Sequence, residues 1–376
     1  MQKRLNAPNA NAAMSTAGLT QTAVAESLGV TKEAVSQWLN DKSFPRPNKL
    51  LQLGKLLGLS LAELVIKEDP YAPKVAFRKA KGTKTKDHHI EKAQEMGRFL
   101  RHLAPFLPFD SLEMPPVLKN PDIDYDYLQK VALKVRRDIN LDPASCIDFT
   151  HLIRRFRELQ AVIIPVLWGS KQNHGNAVHI YLPDSETTWV YLNLDVNAHD
   201  FKFWMAHELG HCLSPDLSGD AAEDFADAFA GALLFPKAKA ESAYKKLHTA
   251  SSSARKLTCL VEIATHETIS PFTVYKEVNK FAQHKNKPPI AIADNQLHGC
   301  IANFNKRYNN ISEALLGDLS ALSAKDYILH TEQAFATPFF DALRQYLKQS
   351  SNGAGIVQAI LDMPLLDAQG IHSELT

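Results

Sequence analysis

The sequence predicts an α+β, mainly helical protein of two or three domains. Apolar residues recur at helical spacing along most of the chain, and three short apolar runs near its middle predict a small β-sheet. The chain has 376 residues, more than the roughly 100 to 200 residues of an ordinary domain. With 45% hydrophobic and 22% charged residues, the composition excludes a disordered chain, a collagen-like fibre and a disulfide-stapled miniprotein.

The chain lacks the sequence features of membrane and secreted proteins. No run of about 18 consecutive apolar residues occurs, and residues 1–20 lack the apolar stretch of a secretory signal. We therefore expect a cytoplasmic protein without membrane contact. The four cysteines form no C-x-x-C pair, which argues against a disulfide framework and a thiolate metal cage. They are Cys146, Cys212, Cys259 and Cys300.

Charge is distributed unevenly along the chain. Residues 1–90 carry 14 Lys and Arg against 7 Asp and Glu, whereas the whole chain carries 42 against 41. The amino-terminal part is therefore basic and suits a polyanion such as nucleic acid, while the remainder is mildly acidic.

Residues 19–40 predict two short helices joined by a turn. Thr20 is placed to cap the first helix, Gly29 follows where that helix must stop, and Thr31 is placed to cap the second. Such a helix-turn-helix would place the solvent face of its second helix in the major groove of a double-stranded DNA operator. The candidate DNA contacts are Gln21, Thr31, Lys32, Glu33, Ser36, Gln37 and Lys42, with Arg46 and Lys49 as further phosphate contacts.

Leucines over residues 50–65 supply the remaining core helices of a five-helix bundle. With Leu-Thr-Gln, the Ser-Leu-Gly-Val turn and Leu-Gly-Leu-Ser-Leu-Ala-Glu-Leu in register, residues 1–66 resemble the XRE family of lambda-repressor-like DNA-binding domains. Pro8 and several Asn make residues 1–18 a poor helix by propensity, so the start of the first helix stays open. The alternative to DNA binding is a module that makes only homodimer or other protein contacts, and the basic surplus weighs against it.

Residues 67–89 predict a basic linker. They are rich in Lys and Pro and show little apolar periodicity. A solvated tether is the favoured interpretation, and cations that track DNA phosphates are the alternative.

The segment His207-Glu208-Leu-Gly-His211 predicts a metal site on a helix. Residues four apart lie one turn above each other, so the two imidazoles can share one ion. Glu208 lies beside the open coordination position, where it can take a proton from a metal-bound water and deliver it to a leaving amine.

A second helix, beginning near Glu223, can supply a third ligand. Helical spacing puts Glu223 and Asp227 on one face, so Glu223 can face the histidines while Asp227 accepts the second ring N–H of one of them. Taken alone, these carboxylates would predict a solvated helix face. Beside His207 and His211 they predict a metal centre.

H-E-x-x-H followed by E-x-x-A-D-x-F-A-x-x-L-L-x-P makes residues 90–285 similar to the ImmA/IrrE family of metallo-endopeptidases. The resemblance implies a zincin-like domain with a small β-sheet, with zinc bound by His207, His211 and Glu223 and with Glu208 as general base. Manganese is an alternative ion for this ligand set. Strands are predicted over residues 161–165, 177–182 and 190–193, and a helical tail over residues 257–281.

Two features of the predicted peptidase stay open. A strand edge beside the metal can bind an extended peptide by strand addition. A second oxyanion donor is usual in such chemistry, and the candidates are His174, His179, His199 and Tyr191, although a structural role is the favoured interpretation for each. Residues 286–376 predict a helical domain without a chemical motif, suited to sensing, dimerisation or partner binding.

Together these features predict a DNA-binding transcriptional regulator with zinc-dependent endopeptidase activity. The resemblance implies a repressor or antitoxin protein as substrate, with stress, phage or mobile-element genes under control, and the fused DNA-binding module adds self-cleavage in the linker as a hypothesis. The alternative is a non-proteolytic transcriptional regulator or antitoxin that uses the zincin fold to sense a ligand or partner. An exopeptidase is disfavoured because nothing marks a pocket for a free terminus.

Overall fold

The computed structural model describes residues 2–68, 71–76, 87–109, 117–169 and 176–376. It divides the chain into two compact units, Met1–Ala72 and Pro73–Thr376. Helices make up 63% of the described residues and the sheets are small, which confirms the mainly helical α+β prediction. Within the described ranges, no helix is both long and apolar enough to cross a membrane.

The amino-terminal unit is a helical bundle closed by a two-stranded antiparallel ribbon. Strand β1 pairs with β2, with Leu5 opposite Val65. Val24, Val35 and Leu64 lie at the centre of its core. The elements are β1 (Gln2–Leu5), α1 (Ala7–Thr16), α2 (Gln21–Leu28), α3 (Lys32–Leu39), α4 (Pro47–Leu57), α5 (Leu61–Leu64) and β2 (Val65–Glu68).

The caps predicted for the helix-turn-helix are present. The hydroxyls of Thr20 and Thr31 accept hydrogen bonds from the backbone N–H groups of Ala23 and Ala34, each at 3.2 Å. Gly29 ends α2 in the left-handed region, with φ of 59°, where a side chain would be strained. The first helix begins at Ala7, and its proline lies in the first turn, where no backbone N–H is needed.

The second unit contains a four-stranded sheet in the order β3-β5-β6-β4. Strand β4 runs parallel to β6, and β3 and β5 each pair antiparallel with the next strand. Helices pack on both faces of β5, since Ile180 points toward Gly97 of α6 while His179 lies beside His211 of α9. The strands are β3 (Lys74–Ala76), β4 (Ala161–Val166), β5 (Ala177–Leu182) and β6 (Thr187–Asn193).

The helices of the second unit surround this sheet and extend to the end of the chain. They are α6 (Asp87–Leu100), α7 (Tyr125–Asp138), α8 (Phe149–Glu158), α9 (Ala198–Leu213), α10 (Gly219–Leu234), α11 (Lys237–Thr249), α12 (Ser253–Glu267), α13 (Pro271–His284), α14 (Asp294–Asn305), α15 (Ile311–Leu316), α16 (Ala324–Phe335), α17 (Phe339–Gln349), α18 (Ala354–Leu361) and α19 (Leu365–Leu375), with 3₁₀ turns at Ala104–Phe106 and Leu319–Ala321.

The predicted linker at residues 67–89 differs from the structure at three places. Residues 67–68 belong to β2 and residues 74–76 form β3, because each segment finds a strand with which to pair. Helix α6 begins at Asp87. Residues 69–70 and 77–86 of the predicted linker, with most of its cations, lie outside the described residues.

The predicted boundary between residues 285 and 286 also differs from the structure. One hydrophobic core runs from Ala93 to Leu375, and residues 286–376 belong to the second unit. Hydrogen bonds cross the predicted boundary: Thr337 donates its hydroxyl to the carbonyl of Ile163 at 2.5 Å, and Tyr191 donates to the carbonyl of Ile360 at 2.9 Å. The carboxyl-terminal helices therefore cover the sheet that supports the candidate metal centre.

Candidate metal centre and nucleic-acid interface

Helix α9 presents two imidazoles toward one point. His207 and His211 lie one turn apart, and their Nε2 atoms are 3.1 Å apart. Both rings are buried because α9 packs on β5 and β6 with one side and on α10 with another. Donor atoms of His207, Glu208 and His211 all lie within 4.8 Å of one another.

Helix α10 brings a carboxylate to this histidine pair. The Oε2 atom of Glu223 lies 3.4 Å from Nε2 of His207, and its Oε1 atom lies 3.4 Å from Nε2 of His211. In a tetrahedral zinc site with bonds of about 2.0 to 2.2 Å, neighbouring donor atoms lie about 3.3 to 3.6 Å apart. Two imidazole nitrogens and one carboxylate thus fit a divalent transition metal such as zinc in both spacing and chemistry.

Close contact between α9 and α10 sets this spacing. Gly210, in the middle of the H-E-x-x-H segment, faces Ala226 of α10, and a Cβ built on it would lie 3.0 Å from the Cα of Ala226. Glycine therefore permits a helix separation that a larger residue would oppose. Because Ala226 lies one turn after Glu223, this contact holds the carboxylate against the imidazoles.

Electrostatics favour an ionised Glu223 beside His207. Burial would raise the pKa of Glu223, but hydrogen bonds from His207 and His211 outweigh it and lower the pKa to about 2. Burial likewise opposes the charged form of His207, whereas hydrogen bonds to Asp227 and Glu223 raise its pKa to about 9. Positive charge is therefore favoured beside the carboxylates of Glu223 and Asp227.

Glu208 faces a different environment. It is buried, and its Oε2 atom has no hydrogen-bond partner among the described residues. Burial raises the pKa of Glu208 to about 8, while the neighbouring His207 opposes that rise. A carboxyl group of this kind is suited to taking up and releasing a proton near neutral pH.

A cleft of about 940 Å³ opens beside the centre, with Glu223 and Asp227 in its wall. Its opposite wall is formed by α13, with Phe272, Lys276 and Lys280. Glu223 therefore joins the two buried histidines to a space large enough for a peptide.

The four candidates for a second oxyanion donor have different surroundings. Tyr191 and His199 have structural roles, since Tyr191 bonds to the carbonyl of Ile360 and His199 Nε2 lies 3.0 Å from Oδ1 of Asn305. His179 on β5 is buried with its ring centroid 5.6 Å from that of His211, and its Nε2 has no hydrogen-bond partner among the residues described. His174 lies outside the described residues.

In the amino-terminal unit, the predicted DNA-contacting side chains lie at the start of α2, along α3 and in the segment between α3 and α4. Three of them also serve the fold: the Thr31 hydroxyl caps α3, Oγ of Ser36 accepts a hydrogen bond from Asn40 at 3.2 Å, and Oε1 of Gln37 accepts one from Ser43 at 3.4 Å. Lys32, Glu33, Gln37, Lys42 and Arg46 are exposed, and Gln21 is half-buried.

The expected phosphate contact of Lys49 differs from the structure. Its ammonium group donates a hydrogen bond to the carbonyl of Leu28, at the last turn of α2. The cation thus satisfies a helix carboxyl terminus that carries partial negative charge. Lys49 therefore holds α4 against α2 in this structure.

Comparison with known proteins supports the function of this first unit. A family model described as helix-turn-helix matches residues 16–64, which include α2, α3, α4 and α5. The amino-terminal unit is a helix-turn-helix DNA-binding domain. The match supports binding of double-stranded DNA and a role in transcription regulation. No curated protein and no solved structure matches the chain.

Proposed function

We propose that this DNA-binding regulator is also a zinc-dependent endopeptidase, with His207, His211 and Glu223 as metal ligands. The observation that carries the proposal is the mutual spacing of their donor atoms, 3.1 to 3.4 Å, beside the buried carboxyl group of Glu208. The proposed substrate is a repressor or antitoxin protein, or the chain itself, and its cleavage would release stress, phage or mobile-element genes.

Glu208 and Asp227 have different roles in the proposed reaction. Zinc, when bound, would polarise the scissile carbonyl and make water a better nucleophile. Glu208 takes the proton of the attacking water and delivers it to the leaving amine, and its raised pKa suits both steps. Asp227 accepts the Nδ1–H of His207 and thereby keeps Nε2 available for the metal.

Removal of the Glu208 carboxylate tests the proposal. The full chain, loaded with zinc, is incubated with a library of unstructured peptides, and new termini are identified by mass spectrometry. We expect internal cuts by the wild type, a loss of at least a hundredfold in Glu208→Gln, and wild-type cleavage in Glu262→Gln, which changes an exposed glutamate of α12. The same samples are examined for cuts in the chain itself between residues 67 and 90.

The outcomes separate the enzyme from its alternatives. Equal cleavage by Glu208→Gln and the wild type would identify a contaminating protease and overturn the proposal. Removal of terminal residues without internal cuts would indicate an exopeptidase. Operator binding with zinc bound and no cleavage would favour a regulator or antitoxin that uses the second unit for recognition.

A further inference from the structure

The order of the sheet places β5 beside the candidate metal centre, with β3 as the one strand described outside it. Strand β5 pairs with β6 along its full length, from Ala177 opposite Leu192 to Leu182 opposite Thr187. Among the residues that the structure describes, its other side pairs only with β3, residues Lys74–Ala76. Without β3, β5 would present a free row of backbone N–H and C=O groups.

The face of β5 that carries His179 is directed toward the metal centre. Side chains alternate along a strand, and Ile180 points to the opposite face, toward Gly97. His179 is buried against the ring of His211, and its Nε2 has no hydrogen-bond partner among the described residues. A polar atom in this position is available to a group that enters between β5 and the centre.

Strand β3 lies where an entering peptide would pair. It runs antiparallel to β5, with Val75 opposite Ile180 and Ala76 opposite His179. Directly opposite residues of an antiparallel pair direct their side chains to the same face. The β3 residue nearest the metal centre is therefore an alanine, and β3 also packs beside α10, the helix that carries Glu223.

Strand β3 is fixed at its start by close packing, but its own side chains are partly exposed. Pro73 before it is buried against α6, where a Cβ on Gly97 would lie 2.6 Å from the Cβ of Pro73. Of the three described residues of the strand, Lys74 is exposed and Val75 and Ala76 are half-buried. Because these side chains bury little surface, this ladder can exchange with a longer strand of another chain.

We propose that β3 occupies the peptide-binding edge of the metal centre, the outer side of β5, as a pseudosubstrate strand. This inference rests on the proposed peptidase function. A substrate is then an extended protein segment that displaces β3, pairs antiparallel with β5 and places a small side chain opposite His179.

A binding experiment tests strand exchange without catalysis. The probe is a fluorescein-labelled peptide with the sequence of residues 72–78, and the protein is the zinc-loaded full chain carrying Glu208→Gln. Adding Val75→Pro removes a backbone N–H and disfavours β3, so we expect the peptide to bind at least tenfold more tightly. The matched variant Val75→Thr keeps a β-branched residue and is expected to bind like the parent.

A second measurement uses the parent protein alone, so it does not depend on whether the Val75 variants fold. Hydrogen exchange of the zinc-loaded parent is followed with and without excess peptide. We expect faster exchange at residues 74–76 and unchanged protection at residues 177–182. Equal peptide affinity in parent, Val75→Pro and Val75→Thr, or no peptide-dependent change at residues 74–76, would overturn the inference.

The result is distinguishable from a failure of the proposed function. If the chain cleaves protein but shows no strand exchange, the proposed peptidase function stands and the strand-exchange inference is wrong. If the chain shows strand exchange but never cleaves, the peptide-binding edge stands and the catalytic role is wrong.

Discussion

Nδ1 of His207 lies 3.0 Å from Oδ1 of Asp227, so one carboxylate on α10 fixes the ring whose other nitrogen faces Glu223. This contact determines which nitrogen carries the proton. The contact also links α9 to α10, and Asp227 makes it without itself being one of the proposed metal ligands.

Replacement of Asp227 therefore weakens metal binding without removing a ligand. Loss of such a partner typically costs 10-fold to 100-fold in metal affinity. We expect Asp227→Asn to lower zinc affinity by about this factor in competition with a chromophoric chelator. Asp224→Asn, on an exposed position of the same helix, is the control and should bind like the wild type. Equal affinity of all three chains would show that the contact does not tune the centre.

Separation of α9 and α10 affects stability and the metal centre together. A Cβ at position 210 would lie 3.0 Å from the backbone of Ala226, so we expect Gly210→Ala to lower the free energy of unfolding by about 1 to 3 kcal/mol and to weaken zinc binding. Gly299 in α14 is exposed with open space around it, and Gly299→Ala should raise the free energy of unfolding by about 0.5 to 1 kcal/mol. Denaturant titration with and without zinc measures both. A stable Gly210→Ala chain with normal zinc affinity would contradict the proposed close packing.

Glu277 on α13 gives the second unit a pH dependence. It is buried against Gly231 of α10, and burial raises its pKa above the ordinary 4.5, although Lys280 at 2.7 Å opposes the rise. A carboxyl group with a raised folded-state pKa costs stability as the pH rises from 4.5 through that pKa, because the folded state then loses a proton it prefers to keep. We expect the stability of Glu277→Gln relative to the wild type to increase over this range. Melting temperatures measured against pH test this, with Glu262→Gln at an exposed position of α12 as the control.

Loss of a surface cation from the DNA-binding unit should change the salt dependence of its DNA affinity. Lys42 is exposed in the turn after α3, where we expect its charge to meet a phosphate and not a base edge. We expect Lys42→Ala to reduce the slope of log affinity against log salt by about 1 on every DNA sequence tested. Lys55→Ala, at an exposed site near the end of α4, should leave the slope unchanged. A sequence-dependent loss for Lys42→Ala would instead indicate base recognition.

Local signals in the sequence were sufficient for the helix-turn-helix and for the two ligand-bearing helices. Thr20, Gly29 and Thr31 each act within their own turn of chain, so their roles follow from neighbouring residues. The spacing of His207 and His211 is likewise a property of one helix. The convergence of Glu223 on them required an assumption about packing that the sequence only suggested.

Features that depend on contacts between residues far apart in the sequence could not be predicted from local signals. Strand β3 has three residues in a polar stretch and exists because β5 offers an edge. Helices α16 and α17 are separated at Ala336 to Pro338, where Thr337 bonds to the carbonyl of Ile163 in the distant strand β4. The position of His179 beside His211 depends on which face of the sheet α9 covers, and no pattern in either segment fixes that choice.

The metal content of the purified full chain tests the central claim most directly. After equilibration with zinc and dialysis, the wild type and Glu262→Gln should each retain about one zinc ion per chain, while Glu223→Gln should lose most of it because one of three protein ligands is gone. Retention of zinc by Glu223→Gln at the wild-type level, or no bound zinc in the wild type, would contradict a metal centre built from the facing residues of α9 and α10.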